Sequence, residues 1–196
     1  MTCTLWRVAE PNVQRLVRSR PDEIEEFLFG ERITPPAPQG GGVLGWLKRL
    51  SPIRVETVDD YPQPSGKGTQ AQGELDLEKA WHGLHFLFTG TAWEGTEPGC
   101  FLLKGGEDLG EEEIGDSVPR LLQPSLVQQF STFLMRLTEE ELTARYDPVR
   151  MTKLEIYPEM SDRETGLEHL LDAFDEVRAF VRTAATEGDA IVILVS

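Results

Sequence analysis

The two ends of this chain constrain its fold most. It opens with "CTLWRVA" (3–9), a β-prone run whose first residues alternate, and it closes with "DAIVILVS" (189–196). Val and Ile dominate the closing run, which reads as a buried strand. Between them the patterns are mostly helical. Strands at both ends, helices between and no βαβ rhythm point to an α+β domain. The expected sheet is small, mixed or antiparallel, and holds both terminal strands. At 196 residues the chain suits one domain, 1–196, able to bury a core without staples.

Local punctuation places the helices. Pro11 suits the first turn of a helix over 11–19. Pro21 opens a second, "PDEIEEFLF", with acids in its first turn and Gly30 after it. "ELDLEKAWHGLHFLFTG" (74–90) reads as a third, with Asp76 as N-cap and Gly90 past the end. "RLLQPSLVQQFSTFLMRL" (120–137) reads as a fourth, entered through Pro124. Its stripe is Leu126, Phe130, Phe133, Leu134 and Leu137. Thr138 with Glu141 forms a capping box. "DPVRMTKLEIYPE" (147–159) reads as a turn of helix closed by Ile156, Tyr157 and Pro158. The longest helix spans about 164–186, with Leu167, Leu170, Leu171, Phe174, Val177 and Val181 inward and Gly188 as its stop.

Residues 34–73 break this rhythm. "TPPAPQGGG" cannot be helix interior or central strand. The segment reads as a long insertion with one apolar island at Leu44, Trp46, Leu47 and Leu50, either a lid or a flexible loop.

Charge and motifs exclude several functions. Net charge is −15. Residues 71–147 carry five Lys/Arg against fifteen Asp/Glu. That balance repels nucleic acid and anionic membrane and attracts a basic protein. No apolar run approaches the roughly 20 residues of a membrane span, and the N-terminus lacks a signal peptide's pattern. Two cysteines, Cys3 and Cys100, fit a reducing cytoplasm better than a disulfide framework. "PSGKGT" (64–69) lacks the first glycine of a phosphate loop. There is no G-x-S-x-G, and "GEEEIGD" (110–116) lacks the spacing of a calcium loop. The chain gives no reason to expect a cofactor.

The candidate site lies in "EKAWHGLHFLFTG" (78–90), which holds two of the three histidines. Trp81, Leu84, His85 and Phe88 fall on one helix face, at i, i+3, i+4 and i+7. His82 sits at the edge of that stripe. Three readings stay open: core histidines with satisfied ring nitrogens, an acid–base pair, or part of a metal site with Glu78. The lack of H-x-x-x-H or C-x-x-C, with His169 on another helix, leaves the metal unsupported.

"LDLEKAWHGLHFLFTG", "YDPVRMTKLEIYPE" and the terminal "EGDAIVILVS", in this order, resemble the YfbM-like proteins, a bacterial domain of unknown function. The resemblance runs from the first strand to the last residue. It implies a single cytosolic α+β domain and supplies no reaction. Segment 34–73 looks long beside compact members, so nothing carries over there. The shared segments single out Trp81, His82, His85, Asp147, Glu155, Tyr157 and Glu159. A rigid Tyr-Pro turn could aim Tyr157 and its flanking carboxylates toward one place. A pocket lined by His85, Tyr157 and Glu155 would make the chain an enzyme or ligand-binding protein. The favoured expectation is a non-enzymatic binding protein with an acidic surface, an inhibitor- or immunity-like protein being one concrete version. It would be a monomer or a weak homodimer through Trp46 and Leu47.

Overall fold

The computed structural model describes residues 1–30, 71–157 and 163–196. Strand β1 is Cys3–Val8, followed by helices α1 (Glu10–Val17) and α2 (Pro21–Phe29). Strand β2 (Gly73–Asp76) leads to α3 (Ala80–Thr89). Two short strands follow, β3 (Glu107–Asp108) and β4 (Arg120–Leu122). Then come α4 (Pro124–Leu134), α5 (Glu139–Arg145), α6 (Pro148–Lys153), α7 (Arg163–Glu187) and strand β5 (Ala190–Val195).

The strands form one sheet in the order β2-β1-β5-β4-β3. Every pairing is antiparallel. The closing strand sits at the centre, so its six residues are all buried. Alternation splits them between two layers. Ile191, Ile193 and Val195 join Leu5 and Leu122 under α3, α4 and α7. Val192 and Leu194 join Trp6, Val8 and Leu121 under α1 and α2, which contribute Val13, Leu16, Ile24, Phe27 and Leu28. This is an α+β domain with helices on both faces of an antiparallel sheet.

Two expected helices begin later than their patterns suggested. Residues 74–76 form strand β2, because polar, apolar and polar side chains alternate there and Leu75 pairs with Leu5. Asp76 does not cap α3. Its carboxylate accepts the Glu78 N–H at 2.7 Å, turning the chain through a positive φ at Glu78. Residues 120–122 form β4 against β5. Pro124 pushes Gln123 into an extended conformation, so α4 starts only at the proline.

Other local signals hold. Thr138 Oγ1 accepts the Glu141 N–H at 3.2 Å, and Glu141 accepts the Thr138 N–H at 3.1 Å. Gly90 ends α3 in the left-handed conformation. Gly83 lies where α3 meets α7: a Cβ there would stand 2.7 Å from Leu170 Cδ2. A glycine inside the helix lets the two elements approach. Most of segment 34–73, with the island at Trp46 and Leu47, lies outside the described residues.

Candidate functional site

Helix α3 is buried along nearly its whole length, from Ala80 to Phe88. Its two histidines are therefore placed among apolar side chains, and each must satisfy its ring nitrogens locally. His82 Nε2–H donates to the Ala92 carbonyl at 2.9 Å. His82 Nδ1 accepts the backbone N–H of Tyr157 at 3.1 Å. A ring that accepts at Nδ1 and donates at Nε2 is neutral. It packs against two indoles, stacked on Trp81 at 4.8 Å and tilted against Trp93 at 4.4 Å.

His85 lies one turn further along. Its Nε2–H donates to the Glu94 carbonyl at 2.9 Å, while its Nδ1 is buried without a hydrogen-bond partner. Thus two histidines at i and i+3 bind the carbonyls of residues 92 and 94 in the loop that follows their own helix. His82 additionally ties in the chain leaving α6. Neither ring is exposed.

The end of α3 is fixed by arginines from α5 and α6. Arg145 donates to the Leu87 carbonyl at 3.0 Å, and Arg150 to the Gly90 carbonyl at 2.8 Å. Cations at a helix C-terminus meet its free carbonyls and the negative end of its dipole. Asp147 caps α6 by accepting the Arg150 N–H at 3.0 Å. Lys104 pairs with Glu94 at 2.9 Å.

The sequence candidates are thus brought only partly together. Trp81, His82 and His85 share the interior of α3. Tyr157 reaches His82 through its backbone N–H, not through its phenol. Its half-buried ring has Lys79 Nζ 5.6 Å from its centre. Glu155 is exposed and has a positive φ. Asp147 serves as a cap. Glu159 lies outside the described residues. Two shallow grooves occur elsewhere. One of about 480 Å³ runs between β2 and α7, and one of about 390 Å³ lies beside α4. His85, Tyr157 and Glu155 line neither of them.

A second buried polar centre had no sequence motif. Arg120 on β4 donates through Nη1 to Phe101 at 3.3 Å and Gly105 at 2.8 Å. Through Nη2 it donates to Phe101 at 3.3 Å and Leu102 at 3.0 Å. The guanidinium gathers three carbonyls and shapes loop 101–105. Nearby Cys3 and Cys100 are free thiols. Burial pushes Cys3 up to about 12, opposed by Arg120, and also raises Cys100. The only sequence signal was an arginine amid apolar neighbours in "PRLL".

Burial lowers the pKa of His82, opposed by its bond to Ala92. Burial lowers His85 further, to about 4; the Glu94 carbonyl opposes this, and His82, Lys104 and Arg120 add to it. Both rings are neutral at pH 7. The unfolded chain therefore takes up a proton near pH 6.5 that the folded chain refuses until about pH 4. The His85 contribution is complete above pH 6.5 and is lost as pH falls toward 4. Between about pH 7.5 and about pH 5 it falls by about 2 kcal/mol, from the linkage of protonation to folding. Urea titrations across that range check this, and a flat profile contradicts it. Among the described residues, no group of three or more His, Cys, Asp or Glu side chains is placed to hold a metal ion. No described helix is long and apolar enough to cross a membrane.

The family model for Domain of unknown function (DUF1877) matches residues 1–194. The chain belongs to the DUF1877 family. Among solved structures, this DUF1877 protein is similar to the protein of unknown function YfbM from Escherichia coli. Identity is 16%, the TM-score is 0.64, and the match covers 98% of each chain. At that identity the likeness is one of fold. Comparison with curated proteins finds no match.

Proposed function

We propose that this DUF1877 protein is a non-enzymatic interaction protein that engages a basic protein partner in the bacterial cytoplasm. One observation carries the reading. Glu107, Asp108, Glu111, Glu112, Glu113 and Asp116 are all exposed within ten residues. None of them forms an ion pair with a described residue. They extend from β3, at one edge of the sheet, into the following loop. A face of that kind accelerates encounter with a basic surface and repels acidic ones. An inhibitor or immunity-like protein that neutralises a basic toxin is one form of this function. The buried free thiols suit a reducing compartment. The α3 histidines support the same reading, since both Nε2–H groups are committed to backbone carbonyls.

Cross-linking of the full chain in bacterial lysate, followed by mass spectrometry, tests this. Cross-links should converge on residues 107–116 and come from a protein with a basic surface. Capture should fall at least about tenfold when Glu111, Glu112 and Glu113 are changed to Lys, and should weaken with salt. Capture indifferent to salt and charge reversal contradicts the reading. So does a small molecule retained in native mass spectrometry and lost in His85→Gln.

A further inference from the structure

The sheet ends on one side at β2 (Gly73–Asp76), and among the described residues no strand pairs with its outer edge. Leu77 N–H donates to the Cys3 carbonyl, which sets the parity of the β1–β2 ladder. By the alternation of antiparallel pairs, Leu75 bonds inward to Leu5, and the peptide groups of Glu74 and Asp76 face outward. Along this edge runs the groove of about 480 Å³. Its floor is Leu75 with Ala179 and Phe180 of α7, and Glu176 stands on its wall.

Charge decides what fits. Arg7 also lines the groove, but it is engaged by Asp189 at 3.6 Å and the Gln72 carbonyl at 3.3 Å. That leaves Glu176 as the groove's unpaired charge, since the Glu74 side chain lies with Trp6 on the other face of the strand. Glu74 and Asp76 lie two residues apart on one face of the strand, opposite Trp6 and Thr4. Burial, and to a lesser degree Asp76, raises the Glu74 pKa, opposed by Trp6. A second copy of this chain fits poorly. Pairing β2 with itself about Leu75 would set Glu74 against Asp76 of the copy, and like charges directly opposite are destabilising.

We propose that β2 accepts one further strand, an extended segment of a partner protein in which basic and apolar residues alternate. Its outward-facing peptide groups supply the ladder bonds of strand addition. Residues of the segment opposite Leu75 enter the groove against Ala179 and Phe180. Residues opposite Glu74 and Asp76 lie on the other face, where Lys or Arg neutralises the two carboxylates. This rests on the reading of a basic protein partner and adds a second contact for it, at the sheet edge opposite the acidic 107–116 segment.

The test uses fluorescence anisotropy on the full chain with three labelled peptides. One alternates Arg and Val over nine residues, one has the same residues in two blocks, and one alternates Glu and Val. The alternating Arg–Val peptide should bind at least about tenfold more tightly than either control. Glu74→Pro removes an outward N–H, and Ala179→Arg places a cation at an exposed groove position. Each should weaken that peptide at least about tenfold, while Glu111→Lys, Glu112→Lys and Glu113→Lys together should change it less than about threefold. Equal binding of the blocked peptide overturns strand addition, as does failure of the alternating peptide to bind. Full binding to both groove variants overturns it too. In each of these cases, partner capture that Glu111→Lys, Glu112→Lys and Glu113→Lys together still weaken leaves the basic-partner reading intact.

Discussion

A His82→Ala protein should be about 4 kcal/mol less stable than the wild type. Three losses combine. The Ala92 carbonyl and the Tyr157 N–H both lose their partner, and a buried polar group left unpaired costs about 1–3 kcal/mol. The vacated space against Trp81 and Trp93 adds a cavity term, since such sites collapse only partly. Because His82 joins α3, the loop after it and the chain leaving α6, the effect is not confined to one element. Urea denaturation at pH 7.5 measures it. The exposed His169 supplies the comparison: His169→Ala should change stability by less than about 0.5 kcal/mol, as surface substitutions usually do. A His82→Ala loss under about 1 kcal/mol contradicts the structural role given to that ring.

Arg120→Met has the second large effect, about 3 kcal/mol. Methionine fills much of the space with apolar atoms, so the cost comes chiefly from the carbonyls. Phe101, Leu102 and Gly105 lose the donors that hold them. Bonds to a charged donor contribute about 1.5–3 kcal/mol each before desolvation is counted. Removing a buried arginine's own desolvation offsets part of that. Arg120→Lys should recover less than half, because an ammonium on a flexible stem cannot reproduce the planar fork. Guanidinium titration of the two variants checks the order. Lysine restoring full stability contradicts the geometric account.

Features set by nearby residues were legible in the sequence. The two terminal strands, the Thr138–Glu141 box, Gly90 after α3 and the long α7 each depend on local pattern. The short strands were less so. Leu75 and Leu122 belong to strands because β1 and β5 lie beside them, and three or four residues carry too little periodicity to compete with a neighbouring helix. The site follows the same rule. Spacing alone put Trp81, Leu84, His85 and Phe88 on one face of α3. The groups that the histidines bind are the backbone atoms of residues 92, 94 and 157, which leave no trace in side-chain pattern. Arg120 is the extreme case, since all its hydrogen-bond partners are main-chain carbonyls. The Tyr-Pro turn points to Tyr157 as a side chain, while the contact it makes with His82 comes from its backbone N–H.

Helix α3 carries its histidines as neutral clasps on the backbone, bound to the carbonyls of residues 92 and 94. Long-range proton–nitrogen NMR of the ring nitrogens of His82 and His85, followed from about pH 7.5 to about pH 5, tests it most directly. At about pH 7.5 both rings should be neutral with the proton on Nε2 and His82 Nδ1 shifted as an acceptor, and the His85 ring should still be neutral at about pH 5. A His85 ring that titrates near pH 6.5, or a His82 ring that carries its proton on Nδ1, would contradict it.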